Sequence, residues 1–209
     1  MNPGRRAFLR TSLILGSAAV PGKSVVEQAA PTPALQEAEL LARMSWMNEP
    51  ASSKLSGTQL LVHSRPKTDF WRKTFYGYVT DNGHFFHLPA PCDFTFLARV
   101  NGQYAALNDQ AGLMVRLDAE NWMKCGPEFF DGRRHASVVF TRDFSDWSSL
   151  DGKNFTSVRQ GHFPPGIKAE VGVMCAAPEG PGFDAVFDSI TWLTTGPSRK
   201  RITTADTIR

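Results

Sequence analysis

The residues best placed to do chemistry lie between positions 108 and 141 of this 209-residue chain. Gln110, Gly112, Met114 and Arg116 form one alternating set, and Trp122, Lys124, Gly126 and Glu128 form another. Side chains two apart on a strand share a face, so each set makes one row. If Asp118 pairs with Trp122 across a three-residue loop, the opposite rows, Leu113, Val115 and Leu117 against Met123, Cys125 and Phe129, meet as a core. Pairing Phe130 with His135 around Asp131-Gly132 then sets Ser137 opposite Glu128 and Thr141 opposite Lys124. One sheet face collects an acid, a base, two hydroxyls and two glycines, and glycines leave room for a ligand. A plain solvated outer face is the alternative.

Catalytic patterns are weaker. Retaining glycoside hydrolysis needs two carboxyls ~5 Å apart, yet no E-x-D-x-x-E run occurs. Glu128 and Asp131 are three apart, which puts them on opposite faces or across a turn. Asp109 falls on the wrong parity to join Glu128 unless a bulge at 110–112 re-aims it. His84 and His87 are likewise three apart on a strand and cannot chelate a metal together, so ordinary surface histidines are expected. His63, His135 and His162 have no carboxylate or cysteine at ligand spacing. Asp146, Asp184 or Asp188 could help hold a structural Ca²⁺, but sequence does not identify its loop oxygens. There is no phosphate loop and no G-x-S-x-G elbow. No metal or cofactor is expected.

Aromatic residues point toward binding. Trp46, Trp71, Phe75 and Tyr76 gather early, and Trp122 and Trp147 recur later. Ring faces carry negative potential that attracts the C–H groups of sugars. Packing in a core or at an edge is the alternative for each. Trp71 is set apart, because Thr68, Asp69, Arg72 and Lys73 around it look too polar for a buried strand.

The elements that must position these groups are strands. Apolar residues make up 42% of the chain and charged residues 21%, enough for a packed core. With 15 Phe, 17 Gly and 14 Pro, the composition favours a turn-rich β domain over a helical bundle. Collagen, coiled coil and polytopic membrane protein are excluded. Asp81-Asn82-Gly83, Asn101-Gly102, Asp131-Gly132 and Asp151-Gly152 read as hairpin turns. They punctuate the apolar runs 59–64, 75–79, 84–88, 94–100, 104–107, 112–117, 122–130, 137–141, 171–175 and 183–192. An antiparallel β-sandwich is expected over 45–195. Residues 31–44 read as a linker into a short helix and 196–209 as a polar tail.

Residues 1–30 read as a twin-arginine-type signal peptide. Arg5 and Arg6 precede Ala7-Phe8-Leu9-Arg10 and a short apolar stretch to Val20. That implies the twin-arginine export machinery as a partner and a periplasmic or extracellular location, with no transmembrane span in the mature chain. A basic, flexible start is the alternative. The formal charge of +3 comes from the two ends, leaving residues 31–198 acidic, so nucleic acid is not an expected partner. Cys92, Cys125 and Cys175 lack disulfide or zinc spacing and read as buried thiols.

An ordered set of motifs carries a resemblance. It comprises Trp46-Met47-Asn48-Glu49-Pro50, residues 68–77, Asp93-Phe94-Thr95-Phe96, residues 108–114, residues 122–128 and Ser145-Asp146-Trp147-Ser148. Each is weak alone. Together, from about Met44 to Leu193, they resemble the "regulation of enolase" family, a domain of unknown function in the concanavalin A-like lectin/glucanase superfamily. The resemblance implies a concanavalin A-like jelly roll. It also implies more chain after Ser148 than is present, because Leu150 runs almost directly into Asp151-Gly152-Lys153. Roughly one hairpin, some 20–30 residues, is missing. An incomplete sheet is expected, with its break between 147 and 153 and an exposed edge or face beside it.

These readings converge on a non-catalytic, exported β-sandwich that binds a carbohydrate or related small polar ligand on its concave face. Trp71 and Tyr76 stack on the ligand. Gln110, Lys124, Glu128 and Thr141 line the site, and Gly112 and Gly126 give clearance. A protein-interaction or regulatory module, the role the family name implies, is the second reading, although enolase is a cytoplasmic enzyme and export keeps the two apart. A carbohydrate-active hydrolase or lyase is the third.

Overall fold

The computed structural model describes residues 37–90, 94–150, 161–163 and 168–194. The expected signal peptide, residues 31–36 of the linker, Cys92, the Asp151-Gly152 turn and the polar tail lie outside the described residues.

After a short helix, α1 (Glu37–Ala42), the described chain is built of strands. The first six are β1 (Ser45–Met47), β2 (Ser52–Ser56), β3 (Gln59–His63), β4 (Phe70–Arg72), β5 (Val79–Asp81) and β6 (His84–Ala90). Then come β7 (Phe94–Gly102), β8 (Gln110–Arg116), β9 (Asn121–Phe130) and β10 (Arg133–Arg142). The last are β11 (Phe144–Leu150), β12 (Ala169–Ala176) and β13 (Asp184–Thr194). A seven-stranded sheet, β1-β6-β12-β8-β9-β10-β11, faces a four-stranded sheet, β2-β3-β13-β7. Among the described residues, the strand pairings within them are antiparallel. This is the expected antiparallel β-sandwich. A separate two-stranded ribbon, β4-β5, lies over the outer face of the larger sheet.

Alternation built the interior as expected. Leu113, Val115, Met123, Cys125, Val138, Val171 and Val173 point inward to meet Phe96, Val100, Phe183, Phe187 and Trp192. The helix belongs to this core, for Leu40 and Leu41 are buried in it. It also repairs a bulge in β13. Pairing with β7 shifts between Asp188 and Thr191, and the Ile190 amide donates to Glu37 Oε1 at 2.7 Å, as a buried donor without a ladder partner requires.

Turn sequences were a poorer guide to pairing. Asp131-Gly132 does close a hairpin, with φ of 52° and 71° at its two central residues, the conformation that matches strand twist. Asp81-Asn82-Gly83 instead carries the chain from the ribbon into the large sheet, and Asn101-Gly102 ends β7, whose neighbour is β13. Runs 75–79 and 104–107 are mostly loop. In the latter, Asp109 Oδ2 accepts the amides of Ala105 and Ala106.

Two expected registers are corrected, each by two residues. Arg133 pairs with Phe130, so Ser137 stands opposite Gly126, Val139 opposite Lys124 and Thr141 opposite Trp122. Arg116, not Asp118, pairs with Trp122, because Asp118 caps the intervening loop by accepting the Glu120 amide at 2.7 Å. Even shifts leave every side chain on its expected face.

β11 stays paired with β10 through Leu150, and the rest of the expected break, residues 151–153, lies outside the described residues. Part of the inner face of β10 is covered by Phe163, buried 5.3 Å from the Phe140 ring. Gly161 lies so close that a Cβ there would overlap Phe140.

Candidate functional site

The outer face of the large sheet presents alternate residues of the same strands. Its centre is capped by the β4-β5 ribbon. Phe70, fully buried, packs on Trp122, Met114, Phe85, Val139 and Met174. The polar flank of Trp71 is buried too, contrary to the sequence reading. Thr68, Asp69 and Arg72 are each at most 8% exposed, and each is paired, as burial demands. The Thr68 hydroxyl donates to Arg65 O and accepts the Ala177 amide. Arg72 reaches Glu120 and Asp143, and its amide donates to Ser145 Oγ. Arg116 forms a two-pronged pair with Asp81 at 2.7 Å per arm. Asp143 is held below the usual carboxylate range by hydrogen bonds from Lys73 and then Arg72.

Asp69 is the hub. Its Oδ1 accepts from Lys124 Nζ at 3.1 Å, from Gln110 Nε2 at 3.1 Å and from the Phe70 amide at 2.7 Å. Lys124 also donates to Phe70 O at 2.7 Å. Sequence reasoning named Asp69 only as a polar neighbour of Trp71. Its partners lie 41 and 55 positions away, beyond any local pattern.

Beyond the cap lies a small depression of about 10 Å³ lined by Gln110, Lys124, Gly126, Glu128, Ser137 and Met174 among others. Three of the predicted residues, Gln110, Lys124 and Glu128, are thus brought together, and Lys124 and Glu128 share a face as their even spacing requires. Gln110 and Glu128 pair directly across β8 and β9. His135 stands directly across from Glu128 on β10, next to this lining, and its Nε2 is buried without a hydrogen-bond partner. The wrong register hid it from sequence reasoning.

The other predicted residues sit elsewhere. Thr141 is fully buried against Ser145 at 2.9 Å. Its register partner, Trp122, is six residues from Glu128 along β9, roughly 20 Å at ~3.3 Å per residue. Trp71 is half-buried, with its Nε1 donating to Thr74 O, while Tyr76 is exposed and meets Trp71 edge-on at 5.9 Å. Trp46 stacks near Phe86 in the inner core, apart from these rings. Trp122 is buried under Phe70. The side chains of Asp146 and Trp147 lie outside the described residues. Gly112 and Gly126 do not open a groove. A Cβ on either would overlap the facing backbone, at Cys125 O and Ala111 O respectively, so these glycines let β8 and β9 approach each other.

The remaining candidates have structural partners. His84 is not a surface histidine. It is 1% exposed, takes the Arg65 amide on Nε2 and lies 2.7 Å from Asn48 O through Nδ1. Its pKa is lowered, chiefly by burial. His87 is half-buried and pairs with Glu170. Asp184 and Asp188 engage His63 and Arg99. Cys125 and Cys175 are buried thiols, pushed up to about 12 by burial, and so are poor nucleophiles.

Fold and site together define an antiparallel β-sandwich whose outer face is partly roofed by a ribbon and carries a small polar depression beyond it. The chain belongs to the family described as "Protein of unknown function (DUF1349)", which matches residues 46–151 and 148–194. The two stretches meet where one hairpin's worth of sequence was expected to be missing. A yeast (Saccharomyces cerevisiae) relative named "Regulation of enolase protein 1" is 35% identical over 188 residues, covering 78% of this chain and 94% of the relative. Since 78% of 209 is about 163, about 25 of the 188 aligned positions have no residue in this chain. A solved structure of a functionally unknown protein from Saccharomyces cerevisiae superposes with a TM-score of 0.69 at 33% identity, covering 75% of this chain and 98% of that one. A GH43 protein of Bacillus licheniformis reaches a TM-score of only 0.48 at 13% identity, over 73% of this chain and 37% of that chain.

The expected periplasmic or extracellular location is corrected by the yeast relative. A protein named for regulation of enolase, a cytoplasmic enzyme, aligns over nearly its whole length with this chain. The arginine-led start that suggested export lies outside the described residues. Among those residues, no helix is long and apolar enough to cross a membrane.

Proposed function

We propose that this protein is a binding module that takes a small, hydroxyl-rich ligand, a saccharide by preference, at the open end of its concave face. The observation that carries this reading is the convergence of Gln110, Lys124, Glu128 and Ser137 on one polar depression of about 10 Å³, room for about one water or one ligand hydroxyl. The lining mixes donors and acceptors with the apolar wall of Met174, the combination that recognises a sugar. The groups are held in advance: Asp69 fixes Gln110 and Lys124, so little ordering remains to be done on binding. Catalysis is disfavoured, because Asp69 is already committed to three donors and Glu128 has no second carboxylate across the depression among its lining residues.

Titration calorimetry against a panel of monosaccharides and polyols tests this. One or more should bind, and Ser137→Val and Glu128→Gln should each weaken binding without unfolding the protein. Saccharide binding unchanged in both variants would move the site elsewhere, and no binding at millimolar concentration would remove the reading.

A second reading, a regulatory module that acts by binding a protein, is supported by the name of the yeast relative. Surface plasmon resonance with purified enolase decides it. Saturable binding favours it, and none at micromolar concentration counts against it.

A further inference from the structure

The chain holds two Asn-Gly pairs, Asn82-Gly83 and Asn101-Gly102. The chemistry open to such a pair is intramolecular. The backbone nitrogen that follows an asparagine can attack that side chain's Cγ, and a glycine there carries no side chain to hinder the approach. Both asparagines are exposed, so exposure does not separate them. Their hydrogen bonds do.

Asn82 is tied at both ends of its carboxamide. Its Oδ1 accepts the Asp69 amide at 2.9 Å, and its Nδ2 donates to Lys67 O at 3.0 Å. The Gly83 amide, the nitrogen that would attack, donates to Asp69 O at 2.9 Å. Gly83 is itself buried, so close to the Phe70 ring that a Cβ would overlap it. The turn that carries the ribbon into the large sheet thus occupies both reacting groups.

Asn101 has the opposite setting. It lies one residue from the end of β7, an edge strand of the small sheet among the described residues. Gly102 stands opposite Ala185, and Gln103, just beyond the strand, donates its amide to Asp184 O at 2.9 Å. Ladder bonds alternate along an antiparallel pair, so the Gly102 amide faces the open edge, away from β13. Its partner there is the Asn101 side chain itself, for Gly102 N donates to Asn101 Oδ1 at 2.9 Å. That contact seats the carboxamide beside the nitrogen that can attack it, and no ladder bond has to break to free that nitrogen. Strand ends are also among the first segments to open, which supplies the backbone rotation that ring closure needs.

We propose that Asn101-Gly102 is a site of spontaneous covalent modification, and that Asn82-Gly83 is protected from the same reaction by its hydrogen bonds. Gly102 N loses its proton and bonds to Asn101 Cγ. The Cγ–Nδ2 bond breaks, and Nδ2 leaves as ammonia with that proton, so a five-membered imide remains. Water then adds at Cγ to give aspartate, or at the main-chain carbonyl carbon to give isoaspartate, in which the chain runs through Cβ and Cγ. Both products place a carboxylate at 101. Isoaspartate also lengthens the backbone beside the Gln103–Asp184 bond, and its carboxylate is the group that an isoaspartyl methyltransferase esterifies with S-adenosylmethionine.

The test is incubation of the full chain in mildly alkaline buffer. Peptide mapping by mass spectrometry follows conversion at each asparagine, and methyl transfer from labelled S-adenosylmethionine by an isoaspartyl methyltransferase is the second readout. In the native protein Asn101 should convert at least about tenfold faster than Asn82, because two side-chain hydrogen bonds must open before Asn82 can react. In urea the two rates should converge. Asn101→Gln, whose longer side chain would have to close a six-membered ring, should abolish methyl labelling of the native protein and leave the melting temperature unchanged. Equal native rates at the two sites overturn the proposal, as does a native Asn101 that is as slow as Asn82 and quickens only in urea. A difference that persists in urea overturns it too, since it would then lie in the flanking sequence and not in the fold. Labelling unchanged in Asn101→Gln places the isoaspartate elsewhere and has the same consequence.

Discussion

The two faces of the seven-stranded sheet are made by the same strands yet hold together differently. Inside, Leu113, Val115, Met123, Cys125 and Val173 meet the four-stranded sheet in a dry core. Outside, one residue along, Gln110, Arg116, Lys124 and Glu128 are equally buried but polar, and their partners come largely from a two-stranded ribbon. The inner face is stabilised by area removed from water, which many side chains can supply. The outer face depends on particular donors meeting particular acceptors, and loss of one partner strands the other. Packing therefore accounts for the sandwich, and pairing accounts for the roof and the polar depression beneath its edge.

Breaking each face should expose this difference. Phe187 is fully buried in the inner core, so Phe187→Ala should cost about 3–5 kcal/mol, read by chemical denaturation. Its methyl-rich neighbours should tolerate volume-conserving exchange: Val173→Ile or Leu113→Met should cost under ~1.5 kcal/mol. On the outer face, Lys124→Met should cost about 3–5 kcal/mol although it removes little volume, because Asp69 keeps its charge in a buried place. Adding Asp69→Asn should recover part of that loss. If the double variant is as unstable as the sum of the single ones, the pair is not coupled and the contrast between the faces fails.

A smaller effect should follow pH. His84 is buried and its pKa is lowered from 6.5, so the unfolded chain binds its proton more readily. Its contribution is present above about pH 6.5 and is lost as pH falls below that value. Urea midpoints should drop between pH 7 and 5, and His84→Gln, which keeps a donor and an acceptor, should flatten that part of the profile. A profile of equal slope in the variant would assign the loss to other groups. The smallest change is expected in the exposed loop between β4 and β5, where Phe75→Ser should move stability by no more than ~0.5 kcal/mol. A larger loss would show that the exposed ring supports the ribbon.

The division between the faces is also the division between what was legible and what was not. Leu113, Val115 and Met123 could be assigned to the core because alternation of apolar and polar side chains is a local property of the strand. The face shared by Lys124 and Glu128 was legible for the same reason and survived a register error of two residues, since parity is insensitive to even slips. Thr141 was misplaced by that slip, and His135 was overlooked because of it. Asp69, Thr68 and Arg72 were read as exposed because a polar residue in a short strand ordinarily faces water. Their burial depends on Lys124, Gln110, Ala177 and Asp143, partners that no local pattern connects to them.

By itself, then, the sequence determined that this chain is an antiparallel β-sandwich, which strand faces are apolar, and where the β9–β10 hairpin turns. Composition, parity and turn chemistry act over a few residues, so they can be read without a structure. Only the tertiary structure decided which sheet each strand joins, that the ribbon roofs the outer face of the large sheet, and that Gly112 and Gly126 serve strand contact rather than a ligand. It also decided which polar side chains are buried with partners. These outcomes follow from how distant segments satisfy one another's hydrogen bonds and charges, and that pairing is settled when the sheets pack.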